Sequence, residues 1–134
     1  MSEWNDKIIE EFRANEGKAG GFFEGRSLLL LHHQGAKSGT WRISPLAYYR
    51  DGDRWAVFAT KGGSESNPDW YHNLKAHPEV RIEVGTEAFD VSAVELTGDE
   101  RDRVYGAQAA GWEQFAKYEA MTERVIPVFA LERR

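Results

Sequence analysis

Two short stretches of this 134-residue chain combine cations with small polar residues, a composition suited to binding an anion. One is Lys37-Ser38-Gly39 with Arg42 just beyond; the other is Ala59-Thr60-Lys61-Gly62-Gly63-Ser64. In the second, Gly62 and Gly63 reach backbone conformations that a Cβ resists. Several N–H groups can then converge on one anion while Lys61 adds a full charge. Arg42 can fork two hydrogen bonds to a phosphoryl group, and Ser38, Thr60 and Ser64 add neutral donors. The competing reading is ordinary loop composition with solvated lysines at strand ends. Asn67-Pro68-Asp69-Trp70-Tyr71-His72-Asn73-Leu74 favours the pocket, because it puts Trp70, Tyr71 and Leu74 on a helix directly after the cationic loop. Aromatic faces beside a phosphate site suit a planar ring with a phosphorylated tail.

Other chemistries find less support. His32 and His33 are adjacent on an expected strand, so their side chains point to opposite faces and cannot chelate one ion; no metal site is expected. The chain has no cysteine, which removes disulfides and thiolate ligands. No serine, histidine and carboxylate form a recognisable triad, no residue is an obvious general acid, and His72 is expected to face solvent or cap a helix. Seventeen basic against twenty-two acidic residues give a net charge of −5, which argues against broad nucleic-acid binding. The longest apolar run, residues 28–31, is far too short for a bilayer, and the start Met1-Ser2-Glu3-Trp4 is not basic, so a cytoplasmic chain is the expectation.

The elements that position these residues are legible from periodicity. Residues 2–15 read as a helix with Ser2 as N-cap and Trp4, Ile8, Ile9 and Phe12 on one face, packed across a barrel or against a subunit. Attachment to a membrane surface is the alternative for that face, and its polar side is not basic enough to favour it. Glycines at 17, 20, 21 and 25 loosen the connection that follows, where Phe22 and Phe23 either fill the core or cover a ligand. Strands are expected over 27–33, 40–50, 54–59, 79–85, 88–96 and 125–133, with hairpin turns at Asp51-Gly52-Asp53 and Gly85-Thr86-Glu87. Pro45 and Pro127 each predict an edge or a bulge. A short helix over 68–76 starts with Asn67 as N-cap and Pro68 at its first position. Thr97 to Glu100 fits a capping box before a long helical region that breaks near Gly111 and ends near Thr122. Composition is globular, at 41% hydrophobic, 29% charged and 13% aromatic. The expected class is α+β: a small, mostly antiparallel barrel of about six strands with N-terminal, inserted and C-terminal helices. One domain over 1–134 is expected, residues 1–25 forming a helical N-terminal extension.

The chain resembles the deazaflavin-dependent nitroreductase family, whose members have a split β-barrel fold and use the deazaflavin coenzyme F420. The resemblance runs in order through Gly35-x-Lys37-Ser38-Gly39, Arg42, Pro45-Leu46, Asp51-Gly52, Ala59-Thr60-Lys61-Gly62-Gly63, Asn67-Pro68-x-Trp70-Tyr71-x-Asn73-Leu74 and Arg124-x-Ile126-Pro127-Val128. It spans roughly residues 26–134. It implies that Lys37, Ser38, Arg42 and Lys61 bind the coenzyme's phosphate and acidic tail. It also implies that backbone over 59–62 approaches the ring, and that Trp70 and Asn73 shape that end, with Pro45 and Gly63 in the same site. Trp112, Phe115 and Tyr118 match positions that line the substrate side. Relatives can carry tyrosines where this chain has Trp112 and Phe115, so Tyr118 is the hydroxyl retained there.

The resulting expectation is a reductase that passes a hydride from reduced deazaflavin to a small electron-poor acceptor, a quinone or nitroaromatic. Tyr118 and Thr60 are the candidate donors near developing negative charge. Two alternatives stand beside it: the same barrel holding flavin mononucleotide (FMN), and a non-catalytic carrier of a cofactor, haem or lipid. A homodimer is a further expectation.

Overall fold

The aliphatic run Leu28, Leu29, Leu30 and Leu31 has no polar side to turn to water, and the fold buries it on both faces of a sheet. The computed structural model describes residues 3–134, so the expected cap Ser2 lies outside the described residues. Strand β1 (Leu28–Gln34) pairs with β2 (Trp41–Asp51) on one side and β4 (Glu79–Val84) on the other. Strands β3 (Arg54–Phe58), β5 (Glu87–Leu96) and β6 (Val128–Arg133) close a six-stranded antiparallel barrel in the order β1-β2-β3-β6-β5-β4. Leu29 and Leu31 face its interior with Val57, Ile82, Val91 and Leu131. The fold is the α+β split barrel that the sequence led one to expect.

Helices close what the sheet leaves open. Helix α1 (Glu3–Ala14) buries Ile8, Ile9 and Phe12 against Leu28 and Leu30 on the outer face. Full burial of each such side chain contributes about 1.5–3 kcal/mol. Trp4 does not join that stripe; it is 51% exposed, beyond the helix's buried face. Helix α2 (Asp69–Ala76) sends Trp70 and Leu74 into the barrel interior. Helices α3 (Gly98–Gly111) and α4 (Glu113–Ala120), broken at Trp112, pack Val104, Tyr105 and Phe115 over Ala56, Phe58 and Ala130.

Three local expectations change. Asn67 does not cap α2; its side-chain oxygen accepts from Arg124 Nη1 at 2.7 Å, and Pro68 stands at the cap position. Thr97 makes no side-chain cap bond at α3, and the reciprocal half of the expected capping box is also absent, since the Glu100 carboxylate accepts from Arg54 at 3.2 Å. Pro127 does not mark an edge: it precedes β6, which is paired on both sides, and its carbonyl accepts from Ala59 N.

Pro45 follows its expectation in a local sense that matters for the site. Along β2 only residues from Tyr48 onward pair with β3, while β1 pairs with β2 from Trp41 to Ala47. A proline lacking an N–H sits without loss on the side that β3 has left. There the barrel wall splits, and the split becomes a cleft.

Candidate functional site

The cleft has a volume of about 440 Å³ and is walled by Ser44, Pro45, Leu46 and Ala47 of β2 and by Phe58 at the end of β3. Thr60, Lys61 and Gly62 form one rim, Pro68 and Trp70 another, and Phe115 and Tyr118 of α4 face them. Trp4, Phe22 and Phe23 reach the same space from the N-terminal segment. Phe23 is buried and fills the core, while Phe22 remains 45% exposed at the cleft. The lining is mostly apolar with a few polar groups, the form of a site for a flat conjugated ring.

The rim loop is held in a conformation that residues with a Cβ resist. Lys61 has φ of 46°, and Gly62 and Gly63 have φ of 64° and 83°. A Cβ at Gly63 would lie 3.0 Å from the Met121 Cβ, so glycine lets the loop tuck against the end of α4. Arg124 supports the loop from below. Its Nε donates to the Ser64 carbonyl at 2.7 Å, and its Nη2 donates to those of Ala59 at 3.0 Å and Thr60 at 2.8 Å. These bonds satisfy carbonyls that no strand partner reaches, while within the loop Gly63 N donates to the Thr60 carbonyl at 2.9 Å and Ser64 N to that of Lys61 at 3.2 Å. Ala59 itself is buried behind the rim, as is Gly63.

A second cavity adjoins on the same two elements. It is lined by Gly35, Ala36, Lys37, Ser38 and Arg42, and by Asp69, His72 and Asn73 of α2. Arg42 and Ser44 are thus neighbours on β2 that serve different cavities, as are Asp69 and Trp70 on α2. Lys37 and Arg42 have no ion-pair or hydrogen-bond partner among the described residues. Arg13, Arg54, Arg81, Arg101 and Arg103 all meet carboxylates. Two unneutralised cations beside an open groove suit an anionic chain. Asp69 in the same wall is the one opposing charge there. Ser38 Oγ accepts from Thr40 N at 3.2 Å and keeps its own proton for a ligand.

Not every expected residue faces these spaces directly. Asn73 is 6% exposed, and its amide serves the wall: Oδ1 accepts from Ala36 N at 2.9 Å, and Nδ2 meets His33 Nδ1 at 2.8 Å. Trp112 lies in neither cavity. It borders a separate one of about 330 Å³, with the Arg26 guanidinium 4.5 Å above its ring, and its ring packs at a tilt against Phe115 and Phe22, 5.1 and 4.9 Å between centroids. Phe115 and Tyr118 do reach the cleft. Burial raises the Tyr118 phenol above its ordinary value, so it stays a neutral O–H donor at neutral pH. His32 and His33 face opposite ways, the first to Glu83 at 2.6 Å and the second to Ser44 at 2.8 Å.

Sequence reasoning missed Ser44, His33 and the role of Arg124. Arg124 stands 57 to 65 residues from its loop partners, and no local pattern signals such a contact. Ser44 carries one faint signal, its place beside Pro45 on a strand that proline interrupts.

Comparison with known proteins gives the family and the fold. The model of the family described as F420H(2)-dependent quinone reductase matches residues 4–133. An F420H(2)-dependent quinone reductase of Mycobacterium tuberculosis strain H37Rv is 39% identical over 127 residues, which cover 92% of this chain and 85% of that protein. A solved F420-H2 dependent reductase, FDR-A, is 37% identical with a TM-score of 0.73, covering 80% of this chain and 95% of that one. A solved domain-swapped dimer, also 37% identical with a TM-score of 0.73, covers 80% and 81%. The heme storage protein HutZ of Vibrio cholerae, 19% identical with a TM-score of 0.62, shares the fold. This chain belongs to the F420H(2)-dependent quinone reductase family.

Proposed function

We propose that this single-domain chain uses reduced coenzyme F420 to reduce a small electron-poor acceptor of quinone type, and that the two adjoining cavities divide the coenzyme between them. The observation that carries this division is the pairing of an uncompensated cationic groove with an apolar cleft across β2 and α2. Lys37, Ser38 and Arg42 hold the anionic tail in the groove, with Asn73 fixing its wall. The ring lies in the cleft against Pro45 and Trp70, where the backbone of Thr60, Lys61 and Gly62 approaches it, with Ala59 and Gly63 shaping the loop behind. Lys61 adds charge at the mouth. When bound, the deazaflavin supplies the hydride.

The chain's own work is alignment, water exclusion and donation. Phe58, Phe115 and Trp70 keep the cleft apolar, which strengthens any hydrogen bond made within it. Tyr118 and Thr60 each present a hydroxyl to an acceptor oxygen that gains negative charge. Phe115 bounds the acceptor directly, and Trp112 supports it from behind.

No described helix is long and apolar enough to cross a membrane, in keeping with a cytoplasmic protein that at most touches a membrane surface. The dimeric relative supports a homodimer. Titrating the protein with oxidised F420 and separately with FMN, followed by tryptophan fluorescence, tests the cofactor reading. Saturable quenching by F420 and weaker quenching by FMN are expected; tighter binding of FMN would overturn it.

A further inference from the structure

A chain of hydrogen bonds through the buried side chains of Asn73 and His33 runs from the wall of the cationic groove to the wall of the apolar cleft, and the direction of every bond in it is fixed. The Ala36 N–H can only donate, so the Asn73 atom 2.9 Å away is its oxygen. The other end of that amide is then an NH2 group, which donates to His33 Nδ1 at 2.8 Å. His33 is 2% exposed and its pKa is lowered to about 4, first by burial and then by Arg42, so the ring is neutral at neutral pH. A neutral imidazole whose Nδ1 accepts must carry its proton on Nε2. That proton goes to Ser44 Oγ at 2.8 Å.

The consequence falls on Ser44. Its oxygen accepts from His33, and its own O–H has no acceptor among the described residues. Ser44 lines the apolar cleft together with Thr60, Trp70 and Tyr118. A hydroxyl in such surroundings, held in place by a buried donor and with its proton uncommitted, is a preorganised donor.

We propose that Ser44 is a coenzyme-contacting residue whose hydroxyl donates to a carbonyl oxygen on the edge of the bound deazaflavin ring, with His33 and Asn73 as positioning residues. This rests on the reading that the cleft takes the ring of F420. The same amide that orients His33 also secures Ala36 beside Lys37, so the groove that takes the tail and the cleft that takes the ring share one polar support. A quinone also offers carbonyl oxygens, and the experiment separates the two.

Ser44→Ala removes the donor with little change in volume. Oxidised F420 is titrated into wild type and variant without any acceptor, recording both affinity and the visible absorption maximum of the bound coenzyme. Loss of the bond weakens binding about tenfold and shifts the maximum, because a hydrogen bond to a ring carbonyl alters the chromophore. His33→Gln keeps an acceptor for Asn73 and a donor for Ser44, and it should retain most of the affinity; His33→Leu should reproduce the Ser44→Ala spectrum. Adding Ser44→Ala to His33→Leu should change neither quantity further, since both act through one hydroxyl. A Ser44→Ala variant with unchanged affinity and spectrum overturns the inference, and a raised KM for a benzoquinone on that background would give the donor to the acceptor instead. Wild type that fails to bind F420 at all would sink the cofactor reading itself, a separate result.

Discussion

Arg124 Nη2 donates to the main-chain oxygen of Thr60 at 2.8 Å, joining the segment before the last strand to the loop at the mouth of the cleft. One planar guanidinium engages four acceptors there: the carbonyls of Ala59, Thr60 and Ser64 and the Asn67 side chain. A lysine cannot reproduce that fork. Arg124→Ala should therefore lower stability by about 2–4 kcal/mol, by stranding partly buried carbonyls. Arg124→Lys should recover only part of it. Urea unfolding measures the stability, and F420 titration should register a parallel loss of affinity that Arg81→Ala, on a surface ion pair with Asp90, does not cause.

The cationic groove predicts a salt dependence. Lys37→Ala and Arg42→Ala should each weaken F420 binding about tenfold, with little effect on the melting temperature, because neither cation has a partner in the protein. Wild-type affinity should fall as ionic strength rises, and the slope should flatten in the double variant. Titration at a series of potassium chloride concentrations reads both.

Tyr118 is placed to act on the acceptor rather than on the coenzyme tail. Tyr118→Phe keeps the ring against Phe115, 5.6 Å between centroids, and removes only the hydroxyl. Coenzyme affinity should hold while kcat with a quinone falls about tenfold, the signature of a donor felt chiefly in the transition state. Steady-state kinetics beside a binding titration distinguishes this from simple loss of packing.

His33 makes stability depend on pH. Its folded value near 4 lies below the ordinary 6.5, with Arg42 and His32 lowering it and Asp69 opposing them after burial. Above pH 6.5 neither state takes the proton and the contribution is complete. As pH falls from 6.5 to 4, the unfolded chain binds it first, and stability declines by up to about 3 kcal/mol. Asp51, held at about 2 by Arg103 and Arg54, loses its contribution only below 3.8, so the two windows are separate. Urea unfolding between pH 7 and 4 should show the decline in wild type and a smaller one in His33→Gln.

The barrel was readable in the sequence because each strand is short, apolar and bounded by turn residues, and because hairpin turns such as Asp51-Gly52-Asp53 fix antiparallel neighbours. The cationic loops were readable for the same local reason. The cap at Asn67 was misread because the distant Arg124 takes its side-chain oxygen, and the capping box at Thr97 lost its Glu100 arm to Arg54; local pattern is blind to such partners. Pro127 misled because its missing N–H lies just before β6 rather than within it. Trp112 matches a substrate-side position in sequence yet turns away from the cleft, because the break between α3 and α4 swings it under Arg26. The Ser44, His33 and Asn73 chain depends on contacts across 11 and 40 residues and surfaced only in three dimensions.

The most direct test of hydride transfer is a single turnover. Protein saturated with reduced F420 is mixed rapidly with a benzoquinone under anaerobic conditions, and reappearance of the oxidised coenzyme's absorbance is followed. The structure predicts reoxidation at a rate that rises with quinone concentration, saturates, and far exceeds that of free reduced F420. Bound coenzyme that stays reduced across a panel of quinones and nitroaromatics would contradict it, leaving a protein that holds the deazaflavin without using it.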